Sequence, residues 1–173
     1  MTFLKKAGLS LAAVTGLSGA SMAGDFSGLY AGIESAVDVD DQSVLVGGTI
    51  GYRMEPLPNI IVGIEGSYGS HVEGTRDVGA AVRDFGSEWD VNAVAGILFG
   101  DDDQNMLYGT LGYMNVDYST VGQVGTTSGD NVRIGGGFEH QFSDFLSFRI
   151  GADYAKPAGE KTVRVKAGLL VNF

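Results

Sequence analysis

Ser70, His71 and Glu73 stand together in the run YGSHVEG, 68–74. A hydroxyl, an imidazole and a carboxylate are the parts of a nucleophile–base–orienter set, the chemistry of acyl transfer and ester hydrolysis. The run alternates as a strand does, however. Neighbours 70 and 71 therefore point to opposite faces and do not form a dyad. The second histidine, His140, lies far along the chain between Glu139 and Gln141 and reads as an interfacial residue. Two acidic clusters, Asp38-x-Asp40-Asp41 and Asp101-Asp102-Asp103, offer oxygens to a divalent cation. Neither has the spacing of a calcium loop, and a solvated turn is the better account of each. There is no cysteine, hence no thiol nucleophile and no disulfide. The residues therefore predict no catalytic set, no metal site and no cofactor.

What remains is a set of charges at alternate positions: Glu34, Arg53, Glu65, Asp90, Arg133, Glu139, Arg149, Asp153, Arg164 and Lys166. Five are acids and five are bases. Such a set suits a structural network of ion pairs, provided some fold gathers it.

The elements that would position them are strands. Eight segments show period-2 alternation bounded by turn residues: 26–36, 43–54, 60–72, 87–99, 105–117, 131–142, 145–155 and 162–173. Three connections, 55–59, 100–104 and 143–144, are short. Two others, 73–86 and 118–130, are long and rich in Gly, Ser, Thr and Asp, and read as loops. An even number of strands of this length, with short turns on one side and longer loops on the other, predicts an all-β, eight-stranded antiparallel up-and-down transmembrane barrel.

One face of these strands carries the ten charges. The other carries Ile33, Val46, Ile50, Ile64, Trp89, Val91, Leu107, Leu111, Ile134, Phe148, Ile150, Val165 and Leu169, with no Lys, Arg or Glu. Asp117 and His140 fit that face poorly. A soluble, lipocalin-like barrel would bury the apolar face, and a membrane barrel would expose it to lipid. Glycine decides between them. Twelve glycines, among them Gly47, Gly51, Gly135, Gly137 and Gly151, share the charged face, and only Gly48, Gly66, Gly109 and Gly136 lie opposite. Glycine has little reason to cover a wet surface, but a narrow interior cannot hold a large side chain at every position. The equal numbers of acids and bases also suit a confined interior, where an unpaired charge is costly. Aromatics cap the apolar face as two girdles: Tyr52, Phe99, Phe142 and Phe173 at one rim, Tyr68, Trp89 and Tyr154 at the other.

The first 23 residues read as a cleaved secretory signal peptide. Lys5 and Lys6 precede an apolar, small-residue stretch too short to span a bilayer, then Ser21-Met22-Ala23. Cleavage between Ala23 and Gly24 would leave 24–173 as the barrel domain. Without Lys5 and Lys6, nine Lys and Arg face twenty-one Asp and Glu, a net charge of −12. That excludes nucleic acid as a partner, since binding it needs a basic footprint.

RIGGGFEHQFSDFLSFRIGADY (133–154), GLYAGIESA (28–36) and YGTLGYMNVDY (108–118) resemble, in turn, the penultimate hairpin, first strand and fifth strand of the small outer-membrane β-barrel family. These are the OmpA-type and opacity-type "porin family" surface proteins of Gram-negative bacteria. Val171-Asn172-Phe173 stands where that family more often has Tyr-x-Phe. The resemblance implies that Phe173 belongs to the assembly signal read by the barrel-assembly machinery. It also implies a cell outer-membrane location, with outer-membrane lipids and lipopolysaccharide as surroundings, and a host or envelope partner reached through the loops. The expected function is a structural or surface-exposed one, in envelope integrity or as an antigen or adhesin. The alternatives are a narrow porin-like channel and, less favoured, a lipid A-modifying barrel enzyme.

Overall fold

A computed structural model describes residues 26–39, 43–73, 75–78, 81–120, 126–156 and 161–173. The signal-peptide reading and its cleavage site, Ala23 and Gly24, lie outside these residues.

Among the described residues nine strands form one antiparallel sheet: β1 (Gly28–Asp38), β2 (Val44–Leu57), β3 (Ile60–Glu73), β4 (Thr75–Val78), β5 (Ala81–Phe99), β6 (Asn105–Thr120), β7 (Thr126–Ser143), β8 (Leu146–Ala155) and β9 (Thr162–Asn172). β3 pairs with β5, and β9 returns to pair with β1 through Tyr30↔Asn172 to Asp38↔Arg164. Eight strands thus close into a barrel, and β4 pairs only with β5, beyond it. Closure is obligatory in lipid, where an open strand edge would leave backbone groups without partners. Phe173 adds one more link at the seam, donating its N–H to the Leu29 carbonyl at 2.8 Å.

The short turns form where the residues permit unusual backbone. Asn59 takes a left-handed conformation (φ 63°), and its N–H donates to Glu55 Oε1 at 2.6 Å. Gly100, at φ 98°, turns the chain into the short 3-10 segment Asp101–Asp103. Asn59 Nδ2 then donates to Asp103 Oδ1 at 3.3 Å, tying these two turns together.

The opposite end departs from expectation. Segments 73–86 and 118–130, read as loops, are largely strand. Thr75–Val78 pairs with Ala81–Asp84, β5 pairs β6 as far as Arg83↔Thr120, and β6 pairs β7 as far as Ser119↔Thr126. β7 meets β8 only from Arg133↔Ala155, so residues 126–132 continue beyond the β8 rim. At the usual rise per residue that is a projection of roughly 20 Å along the strand. Turn-like composition misleads here because backbone pairing carries no demand for an apolar face once a hairpin stands in water.

The two faces are inverted relative to a soluble barrel. Ile33, Ile64, Val132 and Leu107 are about 60% exposed on the outside, while Arg53 and Glu139 are 0% exposed inside. The interior wall is kept thin where aromatic rings cross it. The Tyr30 ring lies over Gly51, and a Cβ on Gly151 would come within 2.7 Å of Tyr108 Oη. Gly51→Val and Gly151→Val are expected to destabilise the barrel by about 1–3 kcal/mol through overpacking, read by urea unfolding from lipid vesicles. Outward-facing Gly109→Val serves as the control that should change little.

Candidate functional site: the lumen

The structure places all ten sequence-predicted charges on the inner wall and joins them in two tiers linked by a lysine. Near the short-turn end, Arg53 grips Glu139 with two parallel hydrogen bonds, Nη1 to Oε1 at 3.0 Å and Nη2 to Oε2 at 2.9 Å. That fork-to-fork geometry is the strongest an arginine makes with a carboxylate. Arg149 Nε donates to the same carboxylate at 3.1 Å, and Arg149 Nη1 reaches Glu65 and, at 3.3 Å, Glu34. Ser147 Oγ adds a bond to Glu139 Oε1 at 2.8 Å, and Tyr30 Oη donates to Glu65 Oε2 at 2.7 Å. Both guanidiniums also face aromatic rings. Arg53 sits 3.8 Å from the Tyr30 centroid and Arg149 4.9 Å from that of Tyr108, contacts in which the ring quadrupole attracts the cation.

The second tier centres on Arg133 and Arg164. Arg133 pairs with Asp90, with Asp153 at 2.8 Å and with Glu88 at 3.3 Å. Arg164 pairs with Glu88 at 2.6 Å and with Asp153 at 3.2 Å. Asn92 Nδ2 donates to Asp90 Oδ1. Lys166 Nζ lies 3.7 Å from Asp153 and 4.0 Å from Glu34, so it bridges the tiers.

Sequence reasoning missed two inward acids, Glu88 and Asp38, which are 2% and 3% exposed. Glu88 stands two residues before Asp90 on the same face, which was the available signal. It lay inside the predicted segment 87–99, where alternation with Asp90 already places it on the inner face, and it was passed over. Asp38 lies past the expected end of the first strand. The described interior therefore holds seven acids and five bases, and the expected equality of charge does not hold.

Apolar side chains cap the network. Phe26, Ile61, Val94, Leu98, Met106 and Tyr108 cluster toward the short turns, and Met114, Val116 and Ala155 lie toward the other end. A cavity of about 20 Å³ beside Glu34, Glu88, Asp90, Arg133 and Lys166 has room for about one water. The histidines are not brought together. Ser70 is exposed on the outer face and His71 turns inward, where its Nδ1 lies 3.2 Å from the Gly86 carbonyl. His140 faces outward at the short-turn rim.

A closed sheet with an apolar exterior, aromatic girdles and a charged interior defines a transmembrane β-barrel of the bacterial outer membrane. Residues 9–173 match the outer membrane protein beta-barrel domain family, and the chain belongs to that family. The protein is accordingly one of the small outer-membrane barrels of Gram-negative bacteria. No curated protein matches the chain. Among solved structures, it is similar to the N-terminal β-barrel domain of Pseudomonas aeruginosa OprF at 13% identity, over 84% of this chain and 96% of that one, with a TM-score of 0.59. It is similar to Ail, the attachment invasion locus protein of Yersinia pestis, at 20% identity over 84% and 96%, with a TM-score of 0.58; that structure holds the heparin analogue sucrose octasulfate. Neisserial surface protein A matches at 16% identity over 88% and 99%, with a TM-score of 0.52. These likenesses show the shared fold.

Removing one partner of a buried pair leaves the other charge uncompensated, at a cost of roughly 3–5 kcal/mol. Arg149→Leu, which removes the ion-pair partner of Glu65 and leaves Glu139 with Arg53 and Ser147, is expected to cost that much in urea unfolding from vesicles. Lys166→Leu should cost clearly less, because Lys166 is 13% exposed and its contacts are longer. Equal losses would contradict the network described.

Proposed function

We propose that this protein is a non-catalytic surface barrel whose interior is closed by paired charges and whose projecting hairpins meet the outside. The observation that carries the reading is the filled lumen: a double tier of ion pairs with apolar clusters toward both ends. Eight strands enclose little more than their own side chains. The narrow-channel alternative would need this network to come apart. A lipid A-modifying role would need a nucleophile and base on one face, and Ser70 and His71 point away from each other.

The projecting β3–β7 region supports a surface role, since rigid scaffolds commonly carry function at their exposed ends. Its charge suggests what it meets. Its outer-end segments carry Glu73, Asp77, Asp84, Asp117 and Asp130 against Arg76 and Arg83. An excess of acid favours a cationic partner surface over a polyanion such as the heparin analogue that Ail holds. Phe173, at the closing seam, is proposed as part of the assembly signal.

Planar-bilayer recordings of the purified protein are expected to show no stable conductance of porin size, and mass spectrometry should show lipid A unmodified. A steady channel would establish the pore reading instead, and deacylated lipid A the enzyme. Exchanging 73–86 and 118–130 for short turns should abolish surface binding or antibody recognition and leave heat-modifiable gel mobility intact. Unchanged binding would place the function in the barrel.

A further inference from the structure

The short-turn rim, which in bacterial barrels faces the periplasm, carries an organised imidazole. On β7 the outward residues Phe138, His140 and Phe142 follow one another. The His140 ring stacks on Phe138, with centroids 6.5 Å apart and planes 8° apart, and meets the edge of Phe142 at 5.6 Å. Phe99 of β5 lies 6.2 Å from Phe138.

The tautomer of His140 follows from its neighbours. Its Nδ1 lies 2.9 Å from Oδ1 of Asn105, the residue paired with it on β6. Asn105 Nδ2 donates to the Phe99 carbonyl at 3.2 Å, which sets the amide so that its oxygen faces the ring. An amide oxygen only accepts, so Nδ1 carries the proton and Nε2 of the neutral ring is a hydrogen-bond acceptor. A girdle aromatic needs no such orientation. A binding imidazole does, and is commonly held by its second nitrogen in this way.

The charge around the pair selects the ligand. The neighbouring turns carry Glu55, Asp101, Asp102, Asp103 and Asp144, and among the described residues they contain no Lys or Arg. An acceptor nitrogen, aromatic rings and acidic surroundings suit a small cation that carries N–H donors.

We propose that His140, oriented by Asn105 and flanked by Phe138 and Phe142, is a headgroup site for a zwitterionic phospholipid bearing a primary ammonium, of the ethanolamine type, in the periplasmic leaflet. The ammonium donates to His140 Nε2, and the acyl chains lie along the apolar wall above it. The inference rests on this face meeting lipid and is independent of what the hairpins bind.

The test uses the full barrel in vesicles containing equal amounts of ethanolamine, choline and glycerol phospholipids with identical acyl chains. The buffer is mildly alkaline. Native mass spectrometry after mild detergent extraction counts the lipids retained. A hydrogen bond to a charged group predicts about tenfold retention of the ethanolamine lipid over the choline lipid, which has no N–H. The glycerol lipid should be retained least, because it is anionic. His140→Phe keeps the girdle and should erase the ethanolamine preference with gel mobility unchanged, and Asn105→Leu should weaken it. Equal retention of the three lipids, preference for the glycerol lipid, or preference surviving in His140→Phe would each overturn the proposal. If His140→Phe fails to fold, the wild-type lipid ranking and Asn105→Leu still decide.

Discussion

The structure depends on neutralising charge in a narrow, enclosed interior. Lipid forces the sheet to close, and closure at eight strands leaves an interior only as wide as its side chains. Charged groups placed there lose their hydration, and only other charged groups and hydrogen bonds can replace it. Glu139 shows the solution: Arg53, Arg149 and Ser147 all donate to its two oxygens. Replacing any one of these changes what the others must satisfy, so the tier behaves as a unit rather than as a set of independent bridges.

The network also explains the distribution of small residues. Tyr30, Tyr108 and Arg53 lean over neighbouring strands only because those strands carry glycine where they pass, as at Gly51 beneath Tyr30 and Gly63 beside Arg53. Packing and electrostatics therefore constrain the same positions. A buried ionic core is weak evidence for high stability, since an apolar core of equal volume can do as well. It does supply a unique arrangement, because each arginine fork accepts few alternative geometries. In a barrel whose strands can slip in register, that uniqueness has a structural use.

Much of this was legible in the sequence, for a physical reason. Lipid on one side and a narrow interior on the other give alternate residues opposite environments, so period-2 reading assigned Ile64 outward and Glu65 inward without a structure. The pairing partners were not legible. Arg53 and Glu139 are 86 residues apart in sequence, and their meeting depends on the stagger of strands around the barrel. Glu88 was legible, two residues from Asp90 within the predicted strand, and was missed, whereas Asp38 lay beyond an underestimated strand end. The hairpins at 75–84 and 119–126 were hidden for a different reason. Out in water a strand needs no apolar face, so the periodic signal that marks the barrel strands disappears where the same strands continue.

The lumen charges act through one another. A double-mutant cycle on Arg53→Leu and Glu139→Leu, measured by urea unfolding in lipid vesicles, tests it most directly. The double variant is expected to lose clearly less stability than the two single variants combined, with a coupling energy of at least about 1.5 kcal/mol. Losses that add, with no coupling, would mean the two side chains are separately solvated and the lumen is open to water.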